Sequence, residues 1–379
     1  YRSGLITEER GTTMSNNENN ENNEKKQAEV ILQSTGVSSI AQQDRTPLQR
    51  FLESSLAFVI ALELLIIIFF GVLAPKGTFL AVSNLFNIAL NSSQMIILAV
   101  GLTYIIASGH MDMSVGMNLI LSSIVAAKVF KAVAGSPAEV ASSIYPNLGA
   151  GIIVGIILAI VVGIAGGGLN AFAITYLKLP PFIATLASMY IFQGIAMVIC
   201  NGAQEVGLPR AFQTYFGHAK LFGYIPYQVI AAVIIGVSLH LILKYTRFGL
   251  HVRATGSNRE SARRAGINVT LITFQVYMLT GALAAVAGCF DIARFATTNP
   301  SGHQTDGMMA IMAAVMGGTS MKGGIASVLG AMLATLIPVS LSIGMVVLGI
   351  NSFYQLVVTG IFLIIAVYVD YIRNMRPTK

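Results

Sequence analysis

Charge is what this sequence has least of. Only 10% of its 379 residues are Asp, Glu, Lys or Arg, whereas 55% are hydrophobic. Soluble domains are about 25% charged, so this chain cannot cover a globular surface in water, and a soluble enzyme is excluded. Tryptophan is absent, which leaves Tyr to supply most of any aromatic belt at a membrane–water boundary. Two cysteines, Cys200 and Cys289, both in or beside apolar segments, offer neither a disulfide framework nor metal-ligand spacing and read as small packing residues. The net charge of +7 is not a nucleic-acid footprint, because the basic residues are grouped as topology-setting loops. What remains is an all-α, polytopic membrane protein. Many of its glycines fall inside apolar segments, where they let helices approach closely.

Residues 1–50 are polar. Ser15 to Lys26 (SNNENNENNEKK) is low in complexity, has no apolar surface to bury, and is expected to be disordered. No long apolar run begins before Leu56, so this leader does not read as a signal peptide. Met14 is the first methionine, and residues 1–13 are expected to be translated leader or cloning-derived sequence. Residues 51–376 form the membrane domain.

A bilayer span takes about 20 apolar residues, and about ten segments qualify. They are Leu56–Ala74, Leu85–Ala107, Ser114–Val133, Ala150–Ile174, Pro181–Cys200, Pro226–Leu243, Ile272–Phe290, Gly307–Met316, Gly324–Leu348 and Ser352–Tyr371. The eighth is short enough to be a half-helix. With the N-terminus inside, the inner side holds Lys178, the arginines of residues 245–269, Lys322 and the tail residues Arg373, Arg376 and Lys379. The outer side and its flanks hold only Lys76, Lys128, Lys131, Arg210, Lys220 and Arg294. That asymmetry puts both termini in the cytoplasm. Two outer loops, Asn201 to Ile225 and Asp291 to Asp306, are long enough to receive a soluble partner.

The densest basic island is Tyr245 to Val269, with Arg247, Arg253, Arg259, Arg263 and Arg264 against a single acid, Glu260. It has helical grammar: Ser257 or Asn258 as cap, Glu260 in the first turn, Gly266 as stop. Two readings stand, a topogenic loop and a lever for a soluble partner.

Other segments carry polar groups among apolar ones. In Ser108 to Gly116 (SGHMDMSVG), Asp112 lies between two apolar segments, a costly position unless paired or wet. It is either part of a gating element near a polar pathway or an interfacial turn in which Asp112 caps the next helix, and Ser114 also has capping character. His110 beside one Asp does not make a metal site. Gly317 to Gly324 (GGTSMKGG) lacks the Gly-x4-Gly-Lys-Ser/Thr spacing of a phosphate loop, so no ATP site is expected. Its glycine spacing echoes that of Gly109 to Gly116, as an internal repeat would. Asn170, after Gly166, Gly167 and Gly168, is placed to bond between helices. Thr185, Ser188 and Gln193 can share a polar face, and Asn87, Asn91, Ser92, Ser93 and Gln94 either line a hydrophilic path or cross-link helices. Glu63 is a lone acid in the first span, a functional-site hypothesis by default.

Four blocks together resemble the ribose-type permease subunits of bacterial ABC importers. SGHMDMSVG is similar to that family's Thr-Gly-Gly-Ile-Asp-Leu-Ser-Val-Gly element. GGLNAFAITYLKLPPFIATLASMYIFQGIA is similar to its Gly-x-x-Asn and Pro-Pro-Phe-Ile-x-Thr-Leu block. GSNRESARRAGINV resembles its Gly-x-Asn-x-x-x-Ala-x-x-x-Gly-Ile segment, and AAVMGGTSMKGGIASVLGAM resembles its Gly-Gly-Thr-Ser-x-x-Gly-Gly element. The resemblance runs from about Leu85 to Ile372, in the family's order. It departs at His110 for a family Gly, Met111 for Ile and Met113 for Leu.

The resemblance implies a permease in a bacterial cytoplasmic (inner) membrane that pairs with a second copy or a paralogue. It implies a partner ABC ATPase that holds ATP and Mg, with no cofactor, metal or catalytic residue on this chain, and an extracytoplasmic solute-binding protein that delivers a monosaccharide. Asn258 to Ile267 becomes the cytoplasmic coupling helix. Arg253, Asn258, Glu260, Ala262, Arg263, Gly266 and Ile267 are its coupling residues. The translocation path or gate falls to Asn91, Gln94, Asp112, Ser114, Asn170, Thr185 and Gln193. Two alternatives stay open: an ABC permease for a nucleoside, autoinducer or other small hydrophilic solute, and an ion-coupled secondary transporter using Glu63 and Asp112.

Overall fold

The computed structural model describes residues 55–351 and scattered positions from 353 to 368. The polar leader and the basic tail lie outside the described residues, and so does half of the tenth expected span, whose described positions are helical. The chain is all-α and polytopic. Eight helical stretches among the described residues are long and apolar enough to cross a membrane. Strand is confined to Lys220–Leu221 paired antiparallel with Ile225–Pro226, apart from an isolated bridge between Glu205 and Thr298.

The first five long helices are α1 Ser55–Leu73, α2 Val82–Ala107, α3 Val115–Ala134, α4 Leu148–Thr175 and α5 Pro181–Ile199. Next come α6 Tyr227–Tyr245, two helices within the basic island, α7 Arg247–Ser257 and α8 Arg259–Arg264, and the long α9 Val269–Phe295. The short α10 Asp306–Met316 follows, then α11 Val328–Ala334 and α12 Leu336–Val347 in nearly continuous succession. The eighth expected span is thus an 11-residue helix, roughly 16 Å at 1.5 Å per residue and too short to cross. The ninth begins at Val328 rather than Gly324, because Gly323 and Gly324 take φ values of +83° and +80° that no helix accepts.

The centre of the bundle is α2, α3 and α9, which are buried over most of their lengths. The packing inverts the soluble rule. In α4 small buried residues recur every fourth position: Gly151, Gly155, Ala159, Gly163, Gly167 and Ala171. Its large residues, Ile153, Ile157, Val161 and Phe172 among them, face outward. Lipid tails are as apolar as leucine, so burying leucine offers no gain there, and backbone proximity decides which face turns inward. At the α4–α9 crossing a Cβ on Gly163 would overlap the Gly281 carbonyl, and one on Gly281 would overlap that of Gly163.

The basic island is two helices. Thr246 caps α7 by accepting from the Gly249 N–H at 3.2 Å, and Val252 and Thr255 turn inward. The chain breaks at Asn258 (φ −156°, ψ 105°), whose side chain accepts from the Ser261 N–H at 2.9 Å and starts α8. Gly266, at φ +82°, ends it. Of the two candidate caps, Asn258 holds the position, and Ser257 is the last residue of α7.

Candidate functional site

Two polar assemblies stand out, and they adjoin: a Cβ on Gly116 at the start of α3 would meet the His303 carbonyl. The first is the seven-residue break between α2 and α3. Asp112 Oδ1 accepts from the Ser114 N–H at 2.8 Å and from its hydroxyl at 2.6 Å. Ser114 makes no cap bond of its own, which corrects the expectation for that side chain: its hydroxyl is taken by Asp112 and receives Asn170 Nδ2 of α4 at 2.7 Å. Thr185 of α5 accepts from the Met113 N–H at 3.2 Å. Tyr277 of α9 donates its hydroxyl to the Met111 carbonyl at 2.8 Å. Three helices therefore grip one break. Burial pushes the Asp112 carboxyl up to about 6, against the two bonds from Ser114 that favour its ionised form.

His110 ties the break to the basic island. Its Nε2 meets the Arg259 guanidinium of α8. Arginine only donates, so Nε2 accepts and the ring is the neutral tautomer with its hydrogen on Nδ1. That hydrogen reaches Ser108 Oγ at 2.9 Å, and Ser108 in turn donates to the Ile105 carbonyl at 2.7 Å. Burial, and then the Arg259 charge, lower the His110 pKa to about 3, so the ring stays neutral at physiological pH. The departure from the family's glycine is therefore a contact to α8.

A backbone joint lies beside it. The Gly324 N–H donates to the Ala107 carbonyl at 2.9 Å. Gly256, near the end of α7, sits so close to that carbonyl and to Gly323 and Gly324 that no Cβ fits. The two segments with echoing glycine spacing thus meet at Gly256.

On α8, Arg263 and Arg264 pair with Glu260 at 3.6 and 3.3 Å, all three well exposed. Ala262 is buried, Ile267 packs against the core, and Arg253 Nε returns to the Gly249 carbonyl at 3.4 Å. Gln193 is half-buried, and among the described residues no hydrogen bond joins it to Thr185 or Ser188. Glu63 accepts from Ser340 Oγ of α12 at 2.7 Å, and among the described residues no cation pairs with it.

The second assembly joins the loops that follow α5 and α9. Glu205 and Thr298 exchange backbone hydrogen bonds at 2.9 and 3.0 Å, and Gln204 donates to Thr297 at 2.6 Å. Burial works against ionisation of Glu205, but bonds and charge from Lys128 and Lys131 outweigh it and hold its pKa below the usual range. Deeper in, His303 bridges Asp306 (Nδ1, 2.7 Å) and Asp291 (Nε2, 3.2 Å). Burial opposes its charge, yet the two carboxylates win and raise its pKa well above 6.5. Asn91 Oδ1 accepts from Arg294 at 2.8 Å, and Gln94 approaches His303 at 3.2 Å. A cavity of about 250 Å³ opens between these side chains and α12.

Sequence reasoning found Asn91 and Gln94 but did not join them to Arg294 and His303, or His303 to Asp306. It named Arg259 and His110 without joining them. Those pairings span from 149 to 209 residues, and no local signal could have announced them.

A family model described as "Branched-chain amino acid transport system / permease component" matches residues 84–367. The chain is 35% identical to the ribose import permease of Bacillus subtilis over 308 residues, 81% of this chain and 89% of that one. It is 31% identical to the galactose/methyl galactoside import permease of Escherichia coli over 333 residues, 86% and 96% of the two chains. With the D-allose transport system permease of Escherichia coli it shares 32% over 313 residues, 83% and 90%. The chain belongs to the ABC importer permease family. No solved structure matches it. The break between α2 and α3, the α7–α8 pair and the glycine joint all fall within the matched region of this permease.

Proposed function

We propose that this permease translocates a monosaccharide across a bacterial cytoplasmic membrane as the transport subunit of an ATP-driven importer. The relatives named for ribose, galactose and D-allose support that solute class. ATP and Mg belong to a partner ABC ATPase, and an extracytoplasmic binding protein delivers the sugar. A second permease copy, or a paralogue, completes the path. The basic island faces the cytoplasm with both termini, in keeping with the retention of Lys and Arg on the inner side.

In this reading α8 is the lever. Its outer face, with Glu260, Arg263 and Arg264, seats on the ATPase, Asn258 and Gly266 set its ends, and Arg253 and Ile267 anchor it. Asp112, Ser114, Asn170 and Thr185 hold the gate at the break, and Asn91 and Gln94 line the outer path. The observation that carries the proposal is the Arg259–His110 contact: a displacement of α8 pulls directly on the break that three helices hold. The ion-coupled alternative would rest on Glu63, which accepts from Ser340 and, among the described residues, meets no cation.

Affinity purification through this chain tests the assembly, and uptake of labelled ribose, galactose and allose by the purified complex tests the solute. A co-purifying ATPase and ATP-dependent uptake of at least one of these sugars are expected. Gradient-driven uptake by this chain alone would overturn the reading.

A further inference from the structure

The cavity beside the middle of α2 holds more chemistry than a passage needs. Asn91 and Gln94 are one helical turn apart on α2, Phe295 closes α9, and Asp306 and Met309 open α10; all five line it with His303. His303 stands at φ +56°, a left-handed conformation that non-glycine residues adopt rarely and that clusters at functional sites. Its two ring nitrogens are spent on Asp306 and Asp291. A ring that donates from both nitrogens has no lone pair, so it cannot accept from the Gln94 amide that lies 3.2 Å away. The Gln94 amide therefore keeps its hydrogen-bonding capacity for something else.

Asn91, by contrast, is committed. It accepts from Arg294 at 2.8 Å and donates to the Asn87 carbonyl at 2.8 Å. Among the described residues only one oxygen of Asp306, Oδ2, has a hydrogen-bond partner. The charges balance: two carboxylates, Asp291 and Asp306, against the His303 imidazolium and Arg294. The cavity thus offers an amide and a carboxylate oxygen without excess charge, and Phe295 and Met309 are also in its lining.

We infer that this cavity is a solute-reception site for a single neutral sugar ring, with Gln94 and Asp306 as its hydroxyl contacts and Phe295 against the ring's C–H face. Hydroxyls both donate and accept, which suits an amide beside a carboxylate, and the volume lies just under the roughly 300 Å³ where small-molecule pockets begin. That volume suits a single ring. Charge balance gives a sugar phosphate no advantage. Asn91 is a positioning residue that holds Arg294. This inference rests on the monosaccharide reading and deepens it by naming the residues that meet the sugar.

The lack of tryptophan in the chain supplies the test. Phe295→Trp puts a single indole in the cavity wall of the full-length, detergent-purified permease. Titration with ribose, galactose and allose should change its fluorescence saturably at millimolar sugar for at least one of the three. In the F295W background, Gln94→Leu and Asp306→Asn should each weaken that response at least tenfold. A wild-type importer that transports one of these sugars while F295W stays silent to all three overturns the site alone. A response that survives both second substitutions also overturns it. A wild-type importer that moves none of the three sugars overturns the monosaccharide reading and this inference with it. If Asp306→Asn fails to yield folded protein, Gln94→Leu decides.

Discussion

Breaking the Arg259–His110 contact should uncouple this permease while leaving it folded. Arg259→Ala removes a cation whose acceptor, His110, is 3% exposed. A hydrogen bond to a charged group contributes about 1.5–3 kcal/mol, and a buried acceptor left without a partner forfeits a similar amount. If about 2 kcal/mol of that sum biases the break toward following α8, its loss weakens the coupling equilibrium roughly 30-fold, at 1.4 kcal/mol per tenfold. The assay is sugar transported per ATP hydrolysed in proteoliposomes carrying the whole importer. His110→Ala removes the same contact from the other side, so the two single variants and the double variant should lose about equally. Such non-additivity is the signature of a direct interaction. The contact needs a neutral ring, which the lowered pKa of about 3 secures. Because the folded pKa lies below the ordinary histidine value, the stabilisation is full above about pH 6.5 and fades as pH falls toward 3. Losses in the double variant that equal the sum of the two singles, or a coupling ratio unchanged in R259A, would refute the argument.

Other consequences are open to measurement. Gly163→Ala should lower the thermal stability of the detergent-solubilised permease by about 1–3 kcal/mol, because its Cβ overlaps the Gly281 carbonyl. Ile157→Ala, on the outward face of the same helix, should stay within about 0.5 kcal/mol. Equal effects in thermal-shift assays would mean that the small face does not set the crossing. Asp112→Asn keeps the acceptor for Ser114 but removes the charge, so transport should fall while thermal stability holds or rises; full uptake would reduce Asp112 to a turn former. His303, whose pKa is raised, contributes stability that is complete below about pH 6.5 and is lost as pH rises through its folded value. Asp291 and Asp306 hold its proton and Arg294 stands nearby, so alkaline pH should destabilise the His303 cluster, and Asp306→Asn should move the onset to lower pH. A melting temperature that responds to alkaline pH identically in wild type and D306N would contradict that assignment.

Much of this protein is determined by local chemistry and was legible in the chain. Apolar runs with almost no charge demand helices, because a backbone in lipid must satisfy its own hydrogen bonds. Pro180 and Pro181 start α5, Asn258 and Gly266 bound α8, and the glycines of α4 mark its contact face. Each of these follows from a residue's own geometry or from a short repeat. The four blocks that mark the family are equally local. Tertiary structure decided the rest. Ser114 reads as a helix cap until Asp112 and Asn170 claim its hydroxyl. Asp112 and His110 are two residues apart, yet one is bonded within the break and the other reaches α8. Asn91 and Gln94 share a face of α2, but only the fold delivers Arg294 to one and His303 to the other, across about 200 residues. Hydrophobic patterning chooses which face of a helix turns inward. It carries no information on which polar group from a distant segment arrives opposite, because that depends on how whole helices cross and where their short connections leave the chain.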